Sequence, residues 1–307
     1  MALRSGVLVL IVIWLAPGAM AGEKRLLENK ESLYNNIYVY KQDQFVSMNF
    51  GFNRRLYTET IVDTADPLDL PVVYTRYMTV GLVYTDHADS MLEIGFGGGS
   101  TAGYLHRSLP QDQVTSVELD PVIVGFAEKY FAARPDKTFH VVVSDGRLFL
   151  RNSSDSYDMI LVDAYRGPFV PFHLLTKEFY QLARSHLRAG GVLVQNVEPS
   201  TMLFDSATRT IGAVFPALDF YPAEGNIVTV AYQGARLTDS DLAARAETQQ
   251  AKYHLRYDLP TLIKARRFLA PGDATVNRNA KVLTDDFAPV EALKAIEQHN
   301  RKWADTQ

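Results

Sequence analysis

The sequence predicts an α/β protein: a doubly wound, mostly parallel sheet preceded by a small N-terminal β unit. Three observations carry this prediction. From Met91 onward, five short apolar runs alternate with helical stretches, the pattern of a parallel sheet covered on both faces. The first run is followed at once by a glycine-rich stretch, Gly95-Phe96-Gly97-Gly98-Gly99. Before Met91, residues 34–62 are rich in β-branched and aromatic residues broken by turn-like segments, which reads as an antiparallel unit.

The first 21 residues stand apart. Arg4, the apolar run VLVLIVIWLA (7–16) and the small-residue site Ala19-Met20-Ala21 have the form of a secretory signal. The run is shorter than the roughly 20 residues that span a membrane. The expected location is periplasmic or secreted, with a mature chain starting at Gly22 that N-terminal sequencing would read directly. An uncleaved membrane anchor is the alternative. Residues 22–72 then make the small β unit, 73–235 the main α/β domain and 236–307 a C-terminal helical extension.

IYVY (37–40), FVSMNF (45–50) and LYTETIV (56–62) read as the strands of the first unit. DTADPLDLP leads into VVYTRYMTVGLVY (72–84), which reads as one helix. MLEI, VTSVEL, FHVVV, YDMILVD and GGVLVQNV are the strands of the main sheet, with helices over 100–109, 121–132, 146–151 and 173–188 between them. PALDFYP and NIVTVAY, joined by AEG, read as a hairpin at the sheet edge. Helices follow at 239–253 and 259–268, and a last one starts at Pro289.

Composition narrows the function. A hydrophobic fraction of 47% and a charged fraction of 21% describe a chain that buries an ordinary globular core. With no cysteine, disulfides, thiolate nucleophiles and Cys-ligated zinc are excluded. The seven histidines show no HxH, HxxxH or HExxH spacing, so no metal site is expected. A net charge of −4, with only the short basic pairs Arg54-Arg55 and Arg266-Arg267, argues against nucleic acid as a partner.

Candidate site residues fall where ligands sit in such sheets, outside the carboxyl ends of the strands. Gly95, Gly97 and Gly99 follow the first strand of the main sheet, Glu118 ends the second, Asp145 follows the third, and Asp163 ends the fourth. Glu198 follows the fifth. A dinucleotide fingerprint needs a third glycine where Ser100 stands. Glu93, two residues before Gly95, gives instead the E-x-G-x-G form of S-adenosylmethionine-binding folds. Glu118 has two oxygens suited to both ribose hydroxyls, and Asp145 is suited to an adenine amino group. An adenosine carrying a short sulfonium chain fits this set better than a dinucleotide.

GFGGGS, VELDP (117–121), SDGRLFL (144–150), YDMILVD (157–163) and EFY (178–180) resemble the spermidine synthase (polyamine aminopropyltransferase) family. SLY (32–34), VYTRYM (73–78), YPAEG (221–225) and LTDDFAPVE (283–291) resemble its spermidine synthase-like branch. The resemblance implies a Rossmann-like, S-adenosylmethionine-dependent methyltransferase fold over the main domain. It implies decarboxylated S-adenosylmethionine or S-adenosylmethionine as co-substrate, no metal, a small-molecule substrate related to the polyamines, and a homodimer. By the same resemblance Glu118 is the ribose acid and Asp145 the adenine acid, with Gly146 beside it. Asp163 becomes the first acid of the catalytic loop, Tyr74 an active-site tyrosine, and Tyr221-Pro222 a segment beside the amine site.

The departures from the family pattern concern the acceptor. Gly98 stands where the family has an amine-holding Asp in the glycine loop, and Arg166 where it has a second catalytic-loop Asp. Thr75 replaces a His, and Asn35 a Gln near the donor sulfur. A carboxylate both holds a cationic amine and takes its proton, a contribution of about 10²–10⁴ in rate; an arginine repels the amine and does not act as a base. Weakened aminopropyl transfer is therefore expected. Restoring both acids is expected to raise activity where the loop tolerates Asp, which positive φ at Gly98 would oppose. The competing readings are a methyltransferase on another acceptor and a non-catalytic protein that binds an adenosine ligand. His173 is expected to cap or support structure, and Tyr34, Tyr38 and Tyr40 to pack the strands. Glu198 is expected to be a helix-entry acid, and Asp285-Asp286 a turn or cap.

Overall fold

The computed structural model describes residues 22–52, 55–166, 169–197, 199, 203–268 and 280–286. The signal segment, Glu198 and the helix expected from Pro289 lie outside the described residues. Among these residues, no helix is long and apolar enough to cross a membrane.

The N-terminal unit is an antiparallel meander of four strands, β1 (Arg25–Glu31), β2 (Asn36–Gln42), β3 (Phe45–Phe52) and β4 (Arg55–Asp63), in that order across the sheet. The sequence reading missed β1, because RLLENKE is a largely exposed edge strand without apolar alternation. The other three strands alternate, and their inward residues Ile37, Val39, Met48 and Phe50 form one buried cluster with Ile123, Phe126 and Phe131. The small sheet is thereby packed onto the main body through α4 (Pro121–Tyr130).

The stretch expected to be one helix is two, α1 (Val73–Met78) and α2 (Gly81–Tyr84), joined by tighter i→i+3 bonds from Val80, Leu82 and Val83. The main sheet then builds as β5 (Ser90–Ile94), α3 (Ser100–Ser108), β6 (Gln113–Glu118), α4, β7 (Phe139–Val143), α5 (Gly146–Asn152) and β8 (Tyr157–Val162). It continues through α6 (Lys177–Ser185), β9 (Leu187–Val197), α7 (Phe204–Gly212), β10 (Ala217–Ala223) and β11 (Asn226–Tyr232). The expected helix 173–188 starts only at Lys177. A 3₁₀ turn at Phe172–Leu174 precedes it, and Thr176 caps it by accepting from the Phe179 amide. The sequence reading missed α7, whose buried face includes two threonines.

The seven strands lie in the order β10-β11-β9-β8-β5-β6-β7. The five from β5 to β9 are parallel, and the β10–β11 hairpin adds antiparallel strands at the β9 edge. This is the doubly wound α/β fold that the alternation predicts. Period-two alternation sorts the side chains to two faces. Met91, Met159 and Val194 meet Leu82, Tyr104 and Leu242 on one face; Leu92, Ile160 and Leu193 meet Leu150, Phe179 and Ile211 on the other. After the hairpin, α8 (Asp239–Tyr253) keeps its expected bounds, while α9 (Leu259–Leu262) tightens into a 3₁₀ turn and ends at Ala265.

Candidate functional site

From the central strand β5 the chain winds outward through β6 and β7, then returns to lay β8 and β9 on the other side. The strand order reverses between β5 and β8, and a crevice opens there at the carboxyl ends. Gly95 makes it possible for the two strand ends to lie so close. Its φ is +95°, and a Cβ there would stand 2.3 Å from the Asp163 carbonyl oxygen. The loop after β5, the ends of β6, β7 and β8, and strand β4 of the small sheet enclose a cavity of about 610 Å³.

Four predicted acids line this cavity, Glu93, Glu118, Asp145 and Asp163. Glu93 is buried and accepts from the Ser116 hydroxyl at 2.8 Å. Glu118 Oε2 accepts from the amides of Phe96 and Gly97 at 3.1 and 3.2 Å, and Oε1 accepts from the Asp120 amide at 3.0 Å. These bonds fix the carboxylate against the glycine loop, while burial raises its pKa. Beside it, Leu119 is 39% exposed and lines the cavity, an apolar surface for a flat base. Asp145 caps α5 by accepting from the Leu148 amide at 2.9 Å, and its Oδ2 lies 2.8 Å from His173 Nε2. The bond to His173 lowers the Asp145 pKa. Gly146, first residue of α5, also lines the cavity.

Asp163 sits one residue beyond β8. Its Oδ2 accepts from the Tyr74 hydroxyl at 3.0 Å, and its Oδ1 from the Asn196 side-chain amide at 3.0 Å. Despite these two donors, burial raises its pKa to about 6. Tyr74 has its own pKa pushed up, first by burial and then by the charge of Asp163. It therefore stays a hydroxyl donor.

Of the remaining glycines of the loop, Gly97 and Gly98 line the cavity, whereas Gly99, predicted with them, is absent from its lining. Gly97 and Gly99 have φ of +53° and +71°, and Gly99 enters α3. Gly98 does not have positive φ. What crowds a side chain there is Thr60, whose Cγ2 would lie 2.4 Å from a Cβ at position 98. Thr60 also bonds Ser100 through their hydroxyls at 2.7 Å. Arg166 is exposed at the cavity wall, with its amide bonded to the Phe169 carbonyl at 2.8 Å.

Several other expectations come out differently. Tyr38 and Tyr40 stack on each other along β2, but Tyr34 lines the cavity with Asn35. His173 supports the site directly by pairing with Asp145 rather than capping a helix. Asp285 and Asp286 do lie in a turn, as expected. In addition, Asp285 is bonded by Arg147 at 2.8 Å and the Leu283 carbonyl accepts from the Lys177 amide, so segment 283–285 pins α5 and α6 behind the cavity. Tyr221 is absent from the lining. It is fully buried, and its hydroxyl lies 2.5 Å from that of Tyr84 in a network with Asp219.

The sequence reading missed Glu59 and Asn196. Glu59 lines the cavity from β4, half-buried, and its pKa is pushed up by burial and then by the charges of Asp163 and Glu118. A lone acid among the β-branched and aromatic residues of LYTETIV was the available signal. Nothing in the QNV run at the end of β9 marks Asn196. Among the described residues, no group of three or more His, Cys, Asp or Glu side chains is placed to hold a metal ion.

Comparison with known proteins gives three results. A family model described as the spermine/spermidine synthase domain matches residues 72–223. The polyamine aminopropyltransferase of Vibrio vulnificus is 30% identical over 284 residues, covering 89% of this chain and 93% of its own. Two solved structures share the fold. The probable spermidine synthase of Corynebacterium glutamicum superposes with a TM-score of 0.66 at 19% identity, over 85% of this chain and 97% of that one. Human methyltransferase-like protein 13, solved in complex with SAH, gives 0.55 at 22% identity over 59% and 92%.

Proposed function

The chain belongs to the spermine/spermidine synthase family, and from that premise we propose that it transfers an aminopropyl group from decarboxylated S-adenosylmethionine to an amine, at a reduced rate. The observation that carries this reading is Asp163, held by Tyr74 and Asn196 in the same cavity as Glu118. Glu118 would take the ribose hydroxyls, Leu119 one face of the base, and Asp145 the adenine amino group. The amine nitrogen attacks the propyl carbon bonded to the sulfonium. The carbon–sulfur bond breaks with its electron pair remaining on sulfur, leaving methylthioadenosine. The proton lost by the nitrogen passes to a carboxylate oxygen of Asp163.

The reduced rate follows from what surrounds that base. Arg166 offers a fixed positive charge where a second base would stand, and Thr60 occupies the space an acid at position 98 would need. The test is methylthioadenosine release with decarboxylated S-adenosylmethionine and putrescine. Slow but measurable turnover, below about 1 per second, is expected. A rate within the ordinary enzyme range of about 1–10³ per second would overturn the reduced-rate reading. No release, with methylthioadenosine still bound in calorimetry, would leave a binding protein. A second reading, methyl transfer from S-adenosylmethionine, is favoured by the acid-free glycine loop; S-adenosylhomocysteine formation in the same assay would support it.

A further inference from the structure

The small N-terminal sheet contributes chemistry to the cavity as well as packing. In the β3–β4 ladder, Met48 pairs with Thr60 but Asn49 pairs with Thr58, so Glu59 is the extra residue of a β-bulge. An unbroken strand sends successive side chains to opposite faces, whereas a bulge re-aims one of them. Glu59 and Thr60 accordingly both line the cavity. Thr60 covers Gly98. Glu59 brings a carboxylate toward Asp163 and Glu118.

Among the described residues, no cation and no hydrogen-bond donor meets the Glu59 carboxylate. Arg166 also lines the cavity, but the charges that act on Glu59 are those of Asp163 and Glu118, and a half-buried carboxylate in such company is costly unless a cation joins it. The acids are not grouped for a metal ion. An organic cation bound in the same cavity would supply the opposite charge.

We propose that Glu59 is the cation-holding group of this cavity, receiving a terminal alkylammonium and rejecting a carboxylate at the same place. This rests on the aminopropyltransferase reading and adds the residue that selects the ligand. The ammonium belongs either to the aminopropyl tail of the donor or to the acceptor amine. S-Adenosylmethionine, whose tail carries a carboxylate as well as an ammonium, is disfavoured. The bulge thus moves the selecting acid from the glycine loop to the neighbouring sheet.

The experiment compares wild type with Glu59→Gln by calorimetry, using methylthioadenosine, decarboxylated S-adenosylmethionine and S-adenosylmethionine, and putrescine with methylthioadenosine present. Methylthioadenosine has no charged tail and is expected to bind both proteins equally, which also reports that the variant is folded. A charge-assisted hydrogen bond corresponds to about a 10- to 150-fold change in affinity. A loss of that size for decarboxylated S-adenosylmethionine places Glu59 on the donor tail; the same loss for putrescine alone places it on the acceptor. If neither affinity moves while methylthioadenosine binds, the proposal is overturned and the functional reading survives. If methylthioadenosine does not bind wild type, the functional reading falls and takes the proposal with it. Should Glu59→Gln not fold, Glu59→Asp, with its carboxylate drawn back by one methylene, is expected to weaken the same ligand, and unchanged affinities would again overturn the proposal.

Discussion

Asp163 combines two opposed requirements. To take the amine proton in the proposed transfer it must be ionised, yet burial raises its pKa from 3.8 to about 6 despite bonds from Tyr74 and Asn196. A carboxyl group whose pKa is higher in the folded chain than in the unfolded one stabilises the fold at low pH. That contribution is present below pH 4 and is lost as pH rises through about 6. The difference corresponds to roughly 3 kcal/mol. Asp163→Asn is therefore expected to abolish transfer while raising thermal stability above pH 6, with little gain near pH 4. The variant's amide can still accept from Asn196 and donate to the Tyr74 oxygen, so the pocket keeps its bonds. Melting curves at pH 4 and pH 8 check this, and a variant no more stable than wild type at pH 8 would contradict it. Wild-type transfer is expected to fall as pH drops below 6. At this scale the sequence was informative where an acid ends a strand, as with Glu118, Asp145 and Asp163. It was silent on Asn196, because a buried amide in a strand looks the same whether it meets a catalytic group or a ladder.

The bulge in β4 is an element-scale feature, and its partner is the glycine loop. Because Thr60 Cγ2 and Phe131 Cδ1 stand 2.4 and 3.0 Å from where a Cβ would lie on Gly98, Gly98→Asp must displace β4 or the aromatic ring. Overpacking of this kind costs about 1–3 kcal/mol. We expect Gly98→Asp to lower the melting temperature, and Thr60→Ser, which removes the methyl but keeps the hydroxyl toward Ser100, to recover part of the loss. Additive effects in the double variant would show that the two positions do not meet. Restoring the family's loop acid alone is thus not expected to raise activity, and the obstacle is a side chain rather than backbone φ. Elements with strong period-two or apolar patterns were legible from the sequence, among them β5 to β9 and the β10–β11 hairpin. The break between α1 and α2, the cap at Thr176 and the bulge at Glu59 were not, since each depends on what packs against the segment.

At the scale of the molecule, two sheets of different origin in the chain close one cavity. The sequence revealed both sheets but not that they share a site, because contact through Phe126 and Phe50 leaves no local signature. The consequence is electrical. The cavity is lined by Glu59, Glu118 and Asp163, whose pKa values are all raised, and Asp163, at about 6, carries a proton part of the time near pH 6 in place of a counter-ion. A ligand bearing a sulfonium or ammonium lowers those pKa values on arrival, so binding becomes an exchange of one cation for another. Heats of binding measured at pH 6 in buffers of different ionisation enthalpy are expected to differ, reporting net proton release to the solvent. The difference is expected to shrink toward pH 8, where Asp163 is already ionised. Neutral methylthioadenosine is expected to release far less, and an equal release for both ligands would mean that the acids do not feel the incoming charge.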